Sequence, residues 1–259
     1  EGLEEAEEYI YDKRGNLSKI MGREEVTSYE FDVMGKMTKA ITPKGESEYS
    51  YNGLGHRVGM KEHDHQFNPG KQVEYILDLT KDYNNLLQKR EQGEVQTYLW
   101  DRELVGVKHS MTVEEELEEA NQGSSYFLVD ELGSPLRLKG AGNLSIKETY
   151  GYDEFGKDLY DNQTKTQPFS FTGYQKDEAT GLHYAQARYY DGNLGRFTGQ
   201  DVIKGNIGKP DTLNEYKYCL NNPMKYVDRD GRKEENEGDE SEYVKVYYLY
   251  DEDGANGAG

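Results

Sequence analysis

The 259-residue chain holds one cysteine, one tryptophan and six prolines. With Cys219 alone, no internal disulfide can form and no zinc site can be built from cysteine thiolates. Hydrophobic residues make up 34% of the chain. No apolar run approaches the ~20 residues that a membrane-spanning helix needs. Positive charge is in deficit, with 31 Lys and Arg against 50 Asp and Glu and a formal net charge of -19. Such a surplus of acid argues against a surface of clustered Lys and Arg, so nucleic acid is not an expected partner. The chain opens on "EGLEEAEE", with neither an initiator Met nor a signal peptide, and we expect a piece of something longer.

What the chain has in quantity is tyrosine, 23 residues of it. Disordered chains are poor in aromatics, and a tyrosine buries a large ring while keeping its hydroxyl hydrogen-bonded. The composition therefore points to a folded, all-β protein with a half-amphipathic core. A repeat organises it. Tyr9-Ile-Tyr11-Asp12-Lys-Arg-Gly15 recurs as Tyr29-Glu-Phe31-Asp32-Val-Met-Gly35 and again as Tyr49-Ser-Tyr51-Asn52-Gly-Leu-Gly55. A fourth copy, Tyr150-Gly-Tyr152-Asp153-Glu-Phe-Gly156, lies far downstream.

Each part of the unit has a physical reading. Aromatics at i and i+2 share one face of a strand. The following Asp-x-x-Gly is turn chemistry, in which the carboxylate bonds the backbone and Gly takes the positive φ at the end. A second strand returns with Leu17–Ile20 or Met37–Ile41. The unit is thus a β-hairpin, marginal alone, which must stack on its neighbours. Between residues 70 and 150 the period blurs, but "VEYILDLT", "QTYLWDRELVGVK", "SSYFLVDELGSPLRL" and "SIKETYGYDEFG" still alternate between turn signals. Residues 111–123, "MTVEEELEEANQG", read as a short helix or an inserted acidic loop. From Arg232 onward, "RKEENEGDESE" is a solvated linker, "YVKVYYLYDEDG" has the pattern of one more strand, and "GANGAG" ends the chain.

These Tyr-Asp units resemble the YD repeats of the RHS family, found in bacterial polymorphic toxins, the C component of insecticidal toxin complexes and animal teneurins. The resemblance is most specific over 126–231. "YGYDEFGK", then "PFSFTGYQKDEATGLHYAQARYYDGNLGRFTGQD", then "NEYKYCLNNPMKYVDRDG" resemble in order the segments of the RHS repeat-associated core domain. The implied fold is repeating antiparallel hairpins at the end of a spiralling hollow β-shell, closed by a C-terminal plug. The corresponding division is residues 1–125 as YD-repeat hairpins, 126–231 as the core domain, and 232–259 as an acidic linker and the start of a variable region.

The resemblance also implies chemistry. In toxin members the core domain can act as an aspartyl autoprotease that frees the enclosed effector. Carried over by motif, its residues are Arg188, Asp201 and Asp228, and the bond cut is Arg232–Lys233. Two carboxylates held close cannot both ionise, so one keeps a proton while the other activates water, and an arginine fork can hold either an Asp or the carbonyl. The chain departs from the family at the cut. Arg229 stands where the family has proline, Arg232 where it has leucine, and Gln200 where proline precedes the aspartate. We therefore favour a structural role, in which Arg188 pairs with Asp191 or Asp201 to pin the plug and Asp228 begins an Asp-x-Asp-Gly turn.

Other motifs are read in the same way. Asp-x-Asp-Gly at 228–231 and 251–254 lacks the rest of a calcium loop, and "HDH" at 63–65 lacks a third ligand. Neither is expected to hold metal, and no cofactor is expected. His183 is expected to be a packed or rim histidine. Asn16-Leu-Ser18, Asn143-Leu-Ser145 and Asn162-Gln-Thr164 fit glycosylation sequons, relevant only in a eukaryotic secretory setting. The expected function is a structural shell segment of a secreted or surface-displayed bacterial RHS protein. Its expected partner is its own C-terminal effector, with immunity or secretion proteins beyond that. Two alternatives remain: self-cleavage after Arg232, and an adhesive repeat that binds glycans through exposed tyrosines.

Overall fold

The computed structural model describes residues 7–63, 69–81, 85–110, 123–142, 144–160, 166–233 and 235–236. The acidic segment expected to be a helix or loop lies outside them, up to residue 122. So do Asp64 and His65 of "HDH", Asn143, the 162–164 sequon and the strand-like tail.

Thirteen strands form one antiparallel meander in which each pairs with the next in sequence. They are β1 (Glu8–Tyr11), β2 (Leu17–Met21), β3 (Val26–Phe31), β4 (Met37–Thr42), β5 (Gly45–Tyr51), β6 (Arg57–His63), β7 (Pro69–Asp78), β8 (Asn85–Glu91), β9 (Glu94–Trp100), β10 (Leu104–Ser110), β11 (Ser124–Val129), β12 (Pro135–Gly140) and β13 (Ile146–Thr149). The expected all-β repeat is present, and the region of blurred period is as regular as the rest. Residues 126–149, whose motif resembles the core domain, are hydrogen-bonded as β11 to β13 of this same sheet.

The turn chemistry explains the regularity. In the second unit, Asp32 Oδ1 accepts the backbone N–H of Met34 at 2.8 Å and of Lys36 at 2.9 Å. Asp12, Asn52 and Asp153 make the same pair of bonds two and four residues on. Asp130 does so too, which adds a turn at Asp130–Gly133 that the tyrosine spacing alone does not reveal. Each turn ends on a glycine with φ between 76 and 85°, such as Gly35 at 76°, a conformation that costs a Cβ-bearing residue roughly 1 kcal/mol. A bulge precedes these turns at the second aromatic, between Glu30 and Phe31 and again between Ser50 and Tyr51. The capped turn thus resets the register every twenty residues.

Alternation along the strands buries one face. Leu17, Tyr29, Met37, Ala40 and Tyr49 point inward at one end of the sheet, and Val73, Tyr75, Leu86, Tyr98, Val107, Phe127 and Leu138 along the rest. The buried face is covered by the C-terminal region. There β14 (Gln175–Lys176), β15 (His183–Ala185), β16 (Arg188–Asp191) and β17 (Arg196–Phe197) form a small antiparallel sheet, and β18 (Tyr226–Val227) pairs with β19 (Glu235–Asn236). Leu182, Tyr184 and Tyr189 join the first apolar cluster and Phe169 joins the second. A third cluster, including Phe171, Tyr174, Tyr190, Phe197 and Tyr218, is the region's own aromatic core. His183 is buried there, its Nε2 3.2 Å from Ser170 Oγ, as expected for a packed histidine.

The repeat makes a graded prediction. Met37→Ala, at a position with 0% exposure, should destabilise by about 2–5 kcal/mol. Val33→Ser, at the exposed tip of the same turn, should stay within about 0.5 kcal/mol. Urea unfolding of both variants checks it.

Candidate functional site

The three residues singled out from the sequence come together. Arg188 starts β16, and Asp201 lies on the loop after β17. Asp228 directly follows β18. Arg188 Nη2 is 2.8 Å from Asp201 Oδ2 and 3.6 Å from Asp228 Oδ2. Its guanidinium also lies 3.7 Å from the centre of the Phe197 ring, so it is sandwiched between an aromatic face and two acids. Glu215 O accepts both Arg188 Nη1 and the Asp201 N–H at 3.0 Å, which fixes the two partners relative to each other. Asp191, the other partner considered for Arg188, caps its own turn instead, accepting the N–H groups of Asn193 and Leu194.

Asp228 closes a loop. Its Oδ1 accepts the backbone N–H of Gly231 at 2.8 Å, Arg232 at 3.1 Å and Lys233 at 3.3 Å, and its carbonyl accepts the Tyr174 hydroxyl. Burial raises the Asp228 carboxyl to about 6, although the Arg188 charge pulls it down. The expected Asp-x-Asp-Gly turn is therefore present, and it sits beside the arginine.

The loop contacts refine which peptide the site holds. Gly231 O accepts Arg188 Nε at 2.5 Å, and the next N–H, that of Arg232, faces Asp228. The Gly231–Arg232 peptide is thus gripped at both ends. The Arg232–Lys233 peptide, suggested by motif alignment, touches Asp228 through its N–H alone among the contacts seen.

The repeat turns reach this site from the sheet. Lys36 Nζ donates to Gln186 O at 2.9 Å and to Ala187 O at 3.3 Å, the two residues before Arg188. Burial, with the Arg232 charge, pushes the Lys36 amine down to about 8. Tyr216 donates to Gly15 O at 2.8 Å, and Leu17 N–H to Thr198 O at 2.7 Å. A cleft of about 350 Å3 opens between these turns and Arg188.

One residue was passed over in the sequence. Arg57 occupies the repeat position held by Leu17 and Met37, and it is fully buried. Its guanidinium lies 4.3 Å from the Tyr184 ring and 5.1 Å from the Tyr75 ring, with Tyr49 and Tyr189 within 6 Å. It donates to Gln175 Oε1 at 3.1 Å and to the Tyr189 hydroxyl at 3.2 Å, and Asp177 Oδ2 stands 3.6 Å away. The available signal was an arginine in an apolar slot.

The model of the teneurin YD-shell family matches residues 3–224. The chain belongs to that family. It is 28% identical over 164 residues to the tRNA3(Ser)-specific nuclease WapA of Bacillus spizizenii, covering 57% of this chain and 7% of that protein. It is 36% identical over 109 residues to the double-stranded DNA deaminase toxin A of Burkholderia cenocepacia, covering 40% and 7%. With the toxin protein Tse5 of Pseudomonas aeruginosa it shares 35% over 108 residues, covering 41% and 8%. The chain thus spans less than a tenth of the length of these relatives. Among solved structures it is similar to TcdB2-TccC3 without its hypervariable C-terminal region, with a TM-score of 0.59, 17% identity and coverage of 87% of this chain and 13% of that one. The Tc holotoxin pore of Photorhabdus luminescens gives 0.59 at 16% identity, covering 93% and 13%. The chain is a structural shell segment with the fold of those proteins.

The titration of Asp228 gives a test with a definite sign. Its folded value is raised, so the stability it confers is present at low pH and is lost as pH rises through about 6. Asp228→Asn should gain on the wild type by roughly 2–3 kcal/mol between pH 4 and pH 7. Denaturant unfolding at the two pH values measures the difference.

Proposed function

We propose that these residues are the closing end of a YD shell, with residues 166–231 as the plug that seals it. The longer protein would use the shell to enclose an effector that follows the Asp228–Lys233 loop. The observation that carries this reading is the apolar burial of the plug against one face of the meander, where Leu182, Tyr184 and Tyr189 meet Leu17, Tyr29 and Met37. A sheet face covered by such a shared apolar cluster is what a sealed end requires. Relatives named as toxins or nucleases support an enclosed effector and a secreted or surface location in a bacterium. Immunity or secretion proteins are further partners on this reading. The test is protease treatment of the longer protein. The segment after residue 233 should resist digestion until the plug is loosened, for instance by Tyr189→Ala with Leu182→Ala. Digestion of that segment at equal rates in both proteins would sink the reading.

A second reading is favoured by the grip on Gly231–Arg232. Water would attack the Gly231 carbonyl carbon, giving its proton to Asp201, while Arg188 Nε stabilises the developing oxyanion. Protonated Asp228 would pass its proton to the Arg232 nitrogen as the C–N bond breaks. The scissile bond then lies one residue before Arg232–Lys233, and cleavage should be fastest below pH 6, where Asp228 holds its proton. Mass spectrometry of the intact chain after incubation at pH 5 should show the 1–231 fragment, absent in Asp201→Asn. A chain that stays whole from pH 4 to 8 rules out self-cleavage.

The adhesive alternative requires exposed rings in a row. Among the described residues the exposed tyrosines are Tyr11, Tyr126 and Tyr160, on separate elements, while Tyr29, Tyr49, Tyr75 and Tyr98 point inward.

A further inference from the structure

The third repeat turn departs from its neighbours at two positions at once. Asp12, Asp32, Asp130 and Asp153 cap their turns with a carboxylate, and Lys13, Val33, Glu131 and Glu154 follow them. The third turn has Asn52 as its cap and Gly53 after it. Asn52 Oδ1 accepts the backbone N–H of Leu54 at 2.9 Å and of His56 at 3.1 Å. Two donors on one carbonyl oxygen draw electron density from Cγ and stand where an oxyanion would form during attack on that carbon. The nucleophile is next in the chain. The Gly53 N–H makes no hydrogen bond among the described residues, and Gly53 is exposed, with nothing within 4 Å of where a Cβ would stand. In the other turns a side chain crowds that nitrogen, and a carboxylate already bearing negative charge is a poor electrophile.

We propose that Asn52 deamidates in the folded chain by attack of the Gly53 nitrogen, so that the third turn acquires the aspartate cap of its neighbours. This modification site goes beyond the shell reading and stands whether or not the chain cuts itself. The Gly53 nitrogen bonds to Asn52 Cγ, and the side-chain nitrogen takes the Gly53 proton and leaves as ammonia, which closes a cyclic imide. The cap fixes the amide beside its attacking nitrogen, which supplies proximity. Water then adds to Cγ. One of its protons returns to the Gly53 nitrogen as that C–N bond breaks, and the other is released to solvent from the new carboxyl group. Water enters, ammonia leaves, and nothing is oxidised or reduced. Opening at the other imide carbonyl would route the peptide through the side chain and give isoaspartate. The Leu54 and His56 donors sit on the Cγ oxygen and favour the aspartate. The carboxylate keeps both bonds and strengthens them by its charge. It also adds a negative charge to the lining of the cleft shared with Lys36, Arg188 and Arg232.

Peptide mapping of the aged chain by mass spectrometry tests this, because digestion separates Asn52 from the other Asn-Gly pair, Asn256-Gly257. The reference is a synthetic peptide of residues 49–57, and electron-transfer fragmentation tells aspartate from isoaspartate. At mildly alkaline pH the folded chain should accumulate aspartate at position 52 over days, in excess over isoaspartate. The peptide should give isoaspartate in excess. Gly53→Ala should slow the folded chain's conversion at least ~tenfold. That variant keeps the turn, since Gly53 lies outside the left-handed region and has open space at the Cβ. The proposal is overturned if Asn52 persists in the folded chain while the peptide converts, if Gly53→Ala converts at the wild-type rate, or if isoaspartate predominates in the folded chain.

Discussion

A single buried charge, Arg57, ties the repeat sheet to the C-terminal region that covers it, the proposed plug. It projects from the start of β6, where the two preceding units carry Leu17 and Met37. Its ring contacts come from both sides, Tyr49 and Tyr75 on the sheet and Tyr184 and Tyr189 on the plug. Asp177, also buried, supplies the counter-charge from the plug and accepts the N–H and hydroxyl of Thr180 through its other oxygen. Burial pulls the Arg57 guanidinium toward a lower pKa, but the surrounding tyrosines and Asp177 more than offset this and hold it charged. A charge in that position is tolerable only when the plug is seated, because withdrawing the plug removes Asp177, Gln175 and two of the four rings together. The arginine therefore selects one docking geometry, where an apolar residue would accept several.

The clasp at Arg188 depends on that seating. Lys36 fixes the carbonyls just before Arg188, and Gly15 receives the Tyr216 hydroxyl next to Glu215, whose carbonyl holds both Arg188 and Asp201. The turns of the first and second repeats are thus structural neighbours of the acid pair. The same Asp-x-x-Gly chemistry that sets the hairpin register also delivers these backbone contacts. Shell and clasp are one construction.

How much of this could be read from the sequence follows the range of the interactions. The hairpins were legible because each is specified within nine residues, by two aromatics, a capping Asp or Asn and a glycine at positive φ. Strands from Pro69 to Thr149 lost the twenty-residue spacing but kept alternation, and they formed all the same. The turn at Asp130 was hidden because Phe127 and Val129 replace the tyrosine pair, although its Asp-x-x-Gly was in plain view. Arg188, Asp201 and Asp228 were legible through motif, and their mutual contact depends on strands far apart in sequence. The hold of Arg188 on Gly231 O was not legible, since no side-chain pattern records a backbone carbonyl. Arg57 and Asp177 stand 120 residues apart, and only the docked plug shows why an arginine interrupts the apolar register.

The Arg57–Asp177 contact locks the proposed plug to the sheet, and a double-mutant cycle in denaturant unfolding measures that coupling. Asp177→Asn and Arg57→Met, which restores the apolar type of the earlier repeats, should each cost about 3 kcal/mol or more by stranding the other charge. The double variant should cost less than the sum by at least ~1 kcal/mol, because neither charge is then left alone. Losses that add to within ~0.3 kcal/mol would show that the two residues act independently and would contradict the account.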